Sequence, residues 1–424
     1  MNHELTKDFI NVHLNDDVNK LALSKFPDDI DKQFVIRQIQ ARQLLKKKLP
    51  SWSENDELLF PKRLSLEQCS SELTAKYKST KVRENTRKDI SESSCRSVGE
   101  KRTLIDLTGG MGVDTSFLSD NFDETIYVES QAELCELAEH NFKVLKKNIK
   151  VVNAKAEDFL TQCGEVDCIY LDPARRDEYG RKMVSLHDCS PDVAELQDLL
   201  FEKTNTVIVK LSPMLDIDII KKELKNIKEI HVVAVKNECK EVLVLCQRTT
   251  DNGQQALSEE DARPCISTRV VDLHEDWKFS FTEDEEQNAI PTFADEIGKY
   301  LYEPGVACMK AAPFKLLSQR FNIKKLHRNS HLYTSDELVT DFPGRIFEVI
   351  AAVPFDKKAK KILSQQTTDN GQQSLSKVSI AVRNFPLSAE ALRKHLCFKD
   401  GDDFYIFGTT MKGEKKMLVL GSRC

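Results

Sequence analysis

The chain has 424 residues, 40% hydrophobic and 31% charged, with a formal net charge of −6. No run approaches the roughly 18 to 20 apolar residues that cross a bilayer, and Met1-Asn2-His3-Glu4 is too polar for a secretory signal, so a cytoplasmic globular protein of about three domains is expected. The 12 cysteines are scattered with no C-x-x-C pair, which excludes the usual zinc and disulfide patterns and reads as reduced, mostly buried thiols.

Residues 1–98 read as a helical region. Phe34, Ile36, Ile39, Leu44 and Leu45, then Leu64, Leu66 and Leu73, are spaced for buried helical faces, with Pro50, Pro61 and the polar stretch Ser91 to Ser97 as punctuation. This region is expected to pack over one edge of the sheet that follows.

Residues 99–248 alternate strands with helices. Strands are predicted at Leu104–Leu107, Ile126–Val128, Ile149–Val152, Cys168–Leu171, Thr206–Lys210, His231–Val235 and Val242–Cys246, with a helix at Gln131–Leu145. Seven strands, the last two joined as a hairpin by Lys236 to Glu241, make an α/β, Rossmann-like doubly wound sheet.

A ten-residue repeat follows: Thr249 to Ser258 recurs as Thr367 to Ser376, differing only at Ala256 against Ser374. Both copies are too polar to bury a core and read as flexible loops at domain joints. Residues 262–342 suggest a small α+β domain, with strands at Arg269–Leu273 and Trp277–Phe281 and helices at Ala294–Leu301 and Ala311–Phe321. His327 and His331 have helical i,i+4 spacing, but no accompanying cysteine or H-E-x-x-H context, so no metal is expected.

Residues 343–424 suggest a second α+β domain, with strands at Ile346–Ala352 and Val378–Arg383, a helix at Ser388–Leu396 and a hairpin over Asp403–Leu420. Charge is uneven: residues 251–300 hold 4 basic and 13 acidic side chains, and residues 301–424 hold 20 basic and 12 acidic. The basic end suits a phosphate backbone or an ordinary solvated surface of mixed sign.

The chemistry concentrates around Thr103-Leu-Ile-Asp-Leu-Thr-Gly-Gly-Met-Gly-Val-Asp114, a short strand running through a carboxylate into a glycine turn. Gly109, Gly110 and Gly112 let backbone approach a ligand, and Val113 to Leu118 can open a helix. A dinucleotide site would carry G-x-G-x-x-G, but Thr115 stands where the third glycine belongs. Asp106 at the strand tip would repel a pyrophosphate and can hold an ammonium group, which points to S-adenosylmethionine. Twenty-three residues on, the strand ending at Glu129 supplies a carboxylate able to accept from both ribose hydroxyls. A further strand then delivers Asp172-Pro173-Ala174-Arg175.

In order and register, these residues resemble class I S-adenosylmethionine-dependent methyltransferases, with their glycine loop, acidic ribose clamp and D/N-P-P-x catalytic loop. Further segments resemble one bacterial family of them, which adds an N-terminal helical region, a ferredoxin-like insert and a THUMP-like C-terminal domain. They are Leu66 to Ala75, Val209 to Asp216, Tyr302-Glu303-Pro304, Asp341 to Arg345, Arg383 to Leu387 and Phe407 to Thr410.

The resemblance implies S-adenosylmethionine as cofactor, bound by Asp106, Thr108, Gly109, Gly110, Gly112, Glu129 and Ser130. It implies that Thr74, from the segment before the glycine loop, closes over the methionine end. Asp172, Pro173 and Arg175 are implied as the catalytic loop, and structured RNA (tRNA or rRNA) as the expected partner. Methylation of a small molecule or protein, or cofactor and RNA binding without turnover, stay open as alternatives.

Two departures stand out. Lys155 occupies the position where relatives often place an adenine-binding Asp, so Glu157 or Asp158 would substitute. The loop reads D-P-A-R where exocyclic amine methylases usually read D-P-P-Y or N-P-P-Y. Cys189, the only cysteine near that loop, reads as a buried thiol more than a nucleophile, which favours nitrogen or oxygen methylation without a covalent intermediate.

Overall fold

The computed structural model describes residues 3–92, 101–175, 185–248, 265–365 and 377–424. The two copies of the ten-residue repeat lie outside the described residues. By its contacts the chain divides into two units, Met1–Lys228 with Leu243–Ala262, and Glu229–Val242 with Arg263–Cys424.

The first unit opens with α1 (His3–Val12), α2 (Val18–Leu23), α3 (Lys32–Leu45), α4 (Pro50–Ser53), α5 (Arg63–Gln68) and α6 (Glu72–Glu92). Asp17 and Asp31 cap α2 and α3 by accepting from backbone N–H groups of the first turn. Buried Arg42 on α3 donates to the carbonyls of Ser53, Asn55, Asp56 and Leu58 and so ties down the loop after α4.

The sheet of this unit is built from β1 (Thr103–Asp106), β2 (Glu124–Glu129), β3 (Ile149–Asn153), β4 (Cys168–Leu171), β7 (Thr206–Leu211) and the end of β9 (Glu238–Gln247), with β5 (Ala174–Arg175) and β6 (Cys189–Ser190) forming a separate two-stranded pair. The order is β9-β7-β4-β1-β2-β3, and β7, β4, β1, β2 and β3 run parallel. Its helices are α7 (Val113–Leu118), α8 (Ala132–Val144), α9 (Ala156–Gln162), α10 (Val193–Lys203) and α11 (Ile217–Glu223).

Helix α6 covers a face of the sheet and not the edge that the sequence suggested. Val82 of α6 packs with Leu104, Cys168, Tyr170, Ile208, Leu243 and Leu245, so this helix lies across the face of the central strands. Trp52, Leu58, Phe60 and Leu66 form a second cluster that reaches Met111 and Val113 at the glycine turn. Burying these large side chains, at roughly 1.5–3 kcal/mol each, fastens the helical region to the turn.

In the second unit, β8 (Ile227–Val235) pairs parallel with β10 (Ser267–Asp272), which pairs antiparallel with β11 (Trp277–Thr282). Lys236 and Asn237 both take left-handed backbone in the tight turn between β8 and β9. After α12 (Glu283–Asn288) come β12 (Tyr300–Pro304), α13 (Val306–Ala311), α14 (Phe314–Arg320), β13 (Lys324–Lys325) and β14 (Tyr333–Ser335). They are followed by β15 (Gly344–Pro354), α15 (Ala359–Ser364), β16 (Ser379–Arg383), α16 (Ala389–Leu396), β17 (Phe404–Thr410) and β18 (Lys416–Arg423). A seven-stranded sheet in the order β13-β14-β12-β15-β18-β17-β16 joins them.

One local expectation fails here and one is trimmed. Ala294–Leu301 is not a helix: residues 294–299 are bends and irregular backbone that lead into β12, where Tyr300, Leu301 and Tyr302 fill ladder positions against β14 and β15. The helix predicted at Ala311–Phe321 is α14 and starts three residues later, because Ala312 turns left-handed (φ 59°) to close α13 and Pro313 cannot donate. His327 and His331 share no helix; His327 meets Glu414 and Asn384, while His331 stacks on Phe314 with ring centres 3.7 Å apart. Among the described residues, no helix is long and apolar enough to cross a membrane.

Candidate active site

The first unit gathers its polar groups at the C-terminal ends of parallel strands β1, β2 and β4, where loops of an open α/β sheet converge. The turn after β1 is held by its own backbone: Gly109 N–H donates to Val128 O and Gly112 N–H to Gly109 O. Gly110 and Gly112 have φ of 52° and 81°, left-handed values that suit glycine.

The glycines do different work. A Cβ on Gly109 would lie 2.1 Å from the Tyr127 ring, and one on Gly112 2.8 Å from the Phe142 ring. At both positions the approaching group is therefore a core aromatic of the protein, not a ligand, and Tyr127 also donates its hydroxyl to Gly110 O. Gly110 alone of the three has room for a Cβ, whose nearest atom, Thr108 O, would lie at ordinary contact distance, 3.8 Å.

Asp106 at the end of β1 is buried, and both oxygens are engaged: Oδ1 accepts from Thr108 N–H (3.0 Å) and Oδ2 from the Thr115 hydroxyl (2.5 Å). Burial pushes its carboxyl up to about 7, against the pull of those two bonds. Thr115, which breaks the dinucleotide pattern, is thus the residue that binds Asp106.

Glu129 ends β2 and bridges two loops, accepting from Gly110 N–H (3.0 Å), Gln131 N–H (2.9 Å) and the Ser130 hydroxyl (3.1 Å). Asp172 follows β4, and its N–H donates to Thr108 Oγ1 at 2.6 Å. Thr108, Gly110, Glu129 and Asp172 are thereby brought together, and Pro173 leads from Asp172 into the β5 pair.

Other sequence-predicted residues stand further out. Glu157 and Asp158 open the first turn of α9, where negative charge suits the helix N-terminus, and Lys155 is its exposed N-cap. Thr74, in the first turn of α6, is buried and bonds to Ser71. Arg175 is placed by its backbone in β5 opposite Cys189, and Cys189 is buried.

A buried charge network escaped the sequence reading. Asp114, in the first turn of α7, accepts from Ser70 (2.7 Å) and from the Tyr170 hydroxyl (2.8 Å). Its Oδ1 lies 3.2 Å from Lys78 Nζ, and its Oδ2 lies 3.8 Å from Lys210 Nζ. Burial opposes ionisation of Asp114, but the two ammonium groups with Ser70 and Tyr170 outweigh it and hold its carboxyl below the usual range. Lys210 donates in turn to Asp172 Oδ2. The one legible signal was Lys210, a lysine inside the apolar strand Thr-Val-Ile-Val-Lys-Leu; Lys78 sits in a charged helix and looks like any surface lysine.

Known proteins carry this architecture. A structure of a candidate methyltransferase from Porphyromonas gingivalis W83 is 31% identical to the chain, with 99% of this chain and 98% of that one aligned and a TM-score of 0.81. A ferredoxin-like domain model matches residues 300–343 and a THUMP-like domain model residues 344–423. The chain belongs to the family of class I S-adenosylmethionine-dependent methyltransferases that carry a ferredoxin-like and a THUMP-like domain. More distant structures are similar to part of it. A candidate methyltransferase from Escherichia coli is 18% identical (40% of this chain, 85% of that one, TM-score 0.26), and an rRNA methylase from Streptococcus thermophilus 12% (35% and 89%, TM-score 0.27). No curated protein is similar enough to match the sequence.

Proposed function

We propose that the protein transfers a methyl group from S-adenosylmethionine to a base of structured RNA, tRNA or rRNA. The observation that carries the cofactor half is the convergence of Gly110, Glu129, Thr108 and Asp172 at adjacent strand ends. The residues fit the cofactor: Gly110 leaves room beside the turn, and Glu129 presents a carboxylate with Ser130 beside it.

The cofactor supplies an electrophilic methyl group on a sulfonium. What the chain adds is placement, which in well-oriented reactions lowers the barrier by roughly 7–11 kcal/mol. Gly109, Gly110 and Gly112 shape the cradle, Glu129 binds ribose hydroxyls, and Thr74 with Ser130, Glu157 and Asp158 completes the wall. Asp172 accepts a hydrogen bond from the acceptor group, aimed by Lys210 on its carboxylate and by Thr108 on its N–H. Pro173 stiffens the loop, and Arg175 meets phosphate or a base edge. With Cys189 buried in a strand, nitrogen or oxygen is the favoured acceptor atom.

The RNA half rests on the THUMP-like match and the basic end of the chain. The same reading divides the chain into a helical region (1–98), a methyltransferase domain (99–248), a ferredoxin-like domain (262–342) and a THUMP-like domain (343–424), working in the cytoplasm without a metal.

Mass spectrometry of tRNA and rRNA nucleosides from a strain lacking the gene tests it. One methylated nucleoside should vanish and return on complementation; an unchanged profile sinks the RNA substrate. Calorimetry separates the cofactor: Glu129→Ala should weaken S-adenosylmethionine at least about tenfold, the cost of a hydrogen bond to a charged group.

A further inference from the structure

Two lysines and two carboxylates alternate between α6 and the mouth of the site. Lys78 Nζ lies 3.2 Å from Asp114 Oδ1, Lys210 Nζ lies 3.8 Å from Asp114 Oδ2, and Lys210 also donates to Asp172 Oδ2. Side-chain exposure rises along this row, from 0% at Lys78 through 10% at Asp114 and 12% at Lys210 to 35% at Asp172. Of the four, Asp172 is the one exposed enough to meet a methyl acceptor.

Strand geometry explains the row. β4 and β7 pair parallel with Leu171 beside Val209, so Asp172 follows beside Lys210. Side chains two apart on a strand share a face, which puts Tyr170 with Asp172, and Ile208 with Lys210, on one side of the sheet. It is the side that α6 covers, because Val82 clusters with Tyr170 and Ile208. Lys78 stands one helical turn before Val82 and so points at the same side.

Lys210 therefore serves two carboxylates, and their needs differ. Asp172 can keep water on one side, whereas a carboxylate buried like Asp114 is expensive without a cation. Lys78 meets that need from the far side, together with Ser70 (2.7 Å) and the Tyr170 hydroxyl (2.8 Å), which both donate to Asp114 Oδ2. With Asp114 so compensated, Lys210 stays in hydrogen-bond contact with Asp172. Without Lys78, Lys210 is the one ammonium left within ion-pair distance of Asp114 among the described residues. Coulomb attraction, strongest where water is absent, then draws it inward.

We propose that Lys78, in the helical region ahead of the methyltransferase sheet, is a positioning residue for methyl transfer: by holding Asp114 it keeps Lys210 on Asp172. The inference rests on the reading of Asp172 as the group that meets the acceptor. It makes α6 a working part of the site as well as a cover for the sheet.

The test uses the full chain with isotope-labelled lysines and follows the Lys210 ammonium by NMR, its signal assigned with Lys210→Arg. In the parent, Asp172→Asn should move that signal more than Asp114→Asn does; in Lys78→Met the order should reverse. An unchanged order in folded Lys78→Met overturns the proposal. Tyr170→Phe keeps every charge and serves if Lys78→Met does not fold. Having lost one donor to Asp114, it should move the Lys210 signal in the direction that Asp172→Asn moves it, and an unmoved signal overturns the proposal too.

Transfer gives the second readout. With RNA from a strain lacking the gene, and sites counted by calorimetric S-adenosylmethionine binding, Lys78→Met should lower kcat at least about tenfold while KM for S-adenosylmethionine holds. A misplacement of about 1 Å can cost up to about 10²-fold. Adding Asp114→Asn leaves Lys210 to Asp172 and should recover most of the rate; a folded, cofactor-binding double variant no faster than the single overturns the proposal. If the parent methylates no RNA, the RNA reading fails while the Lys210 signal still decides this one.

Discussion

Replacing Lys78 by methionine should unfasten the helix that lies across the sheet. Lys78 is fully buried, with Nζ 3.2 Å from Asp114 Oδ1 and donating to Ser70 at 3.0 Å. Methionine nearly keeps the volume and removes the charge, leaving the buried Asp114 carboxylate to Lys210 at 3.8 Å. Breaking a buried pair from one side costs about 3–5 kcal/mol, a large part of the roughly 5–15 kcal/mol that holds a domain together.

Urea unfolding of the full chain reads this out. The chain has two tryptophans, and a Trp277→Phe background leaves buried Trp52 to report on the first unit. Adding Asp114→Asn removes the stranded charge and should restore at least about half of the loss, giving a coupling of about 1–3 kcal/mol. Because Asp114 is held below its ordinary 3.8, the stability it provides is present above that value and disappears as pH falls through its lower folded value. The gap between Lys78→Met and its parent should therefore be full at neutral pH and close in acid. A single variant within about 0.5 kcal/mol of its parent, or a double variant worse than the single, would refute the reasoning.

Gly109→Ala should destabilise by about 1–3 kcal/mol, because its Cβ would enter the Tyr127 ring at 2.1 Å; circular dichroism melts measure it. For Asp106, the folded carboxyl at about 7 against 3.8 unfolded means that the folded chain keeps a proton the unfolded chain has lost. Stability should fall as pH rises from about 4 to about 7, and Asp106→Asn should lack that component in urea titrations taken across the range. Lys210→Met should cut methyl transfer to bulk RNA about 10²-fold through a misaimed Asp172, while calorimetric affinity for S-adenosylmethionine changes little. A matching loss of both would place Lys210 in cofactor binding instead.

Periodicity made the seven strands at 104–246 and the helix at 131–145 readable, because alternation and run length are local properties of the chain. The acid at each strand tip was readable too: Asp106, Glu129 and Asp172 each close an apolar run, at the strand ends where the loops of an open α/β sheet converge. Local signals failed where a distant partner decides. Ala294–Leu301 has a helical composition, yet β14 and β15 offer ladder positions that hold Tyr300 to Tyr302 extended. What the sequence by itself determined is the order of motifs, and hence the family. Only the tertiary structure decided why Gly109 and Gly112 must lack side chains, since the rings that exclude a Cβ belong to Tyr127 and Phe142. It also decided which lysines matter. Burial is set by packing, and packing alone turns Lys78 and Lys210 from ordinary charges into the buried groups that hold Asp114 and Asp172.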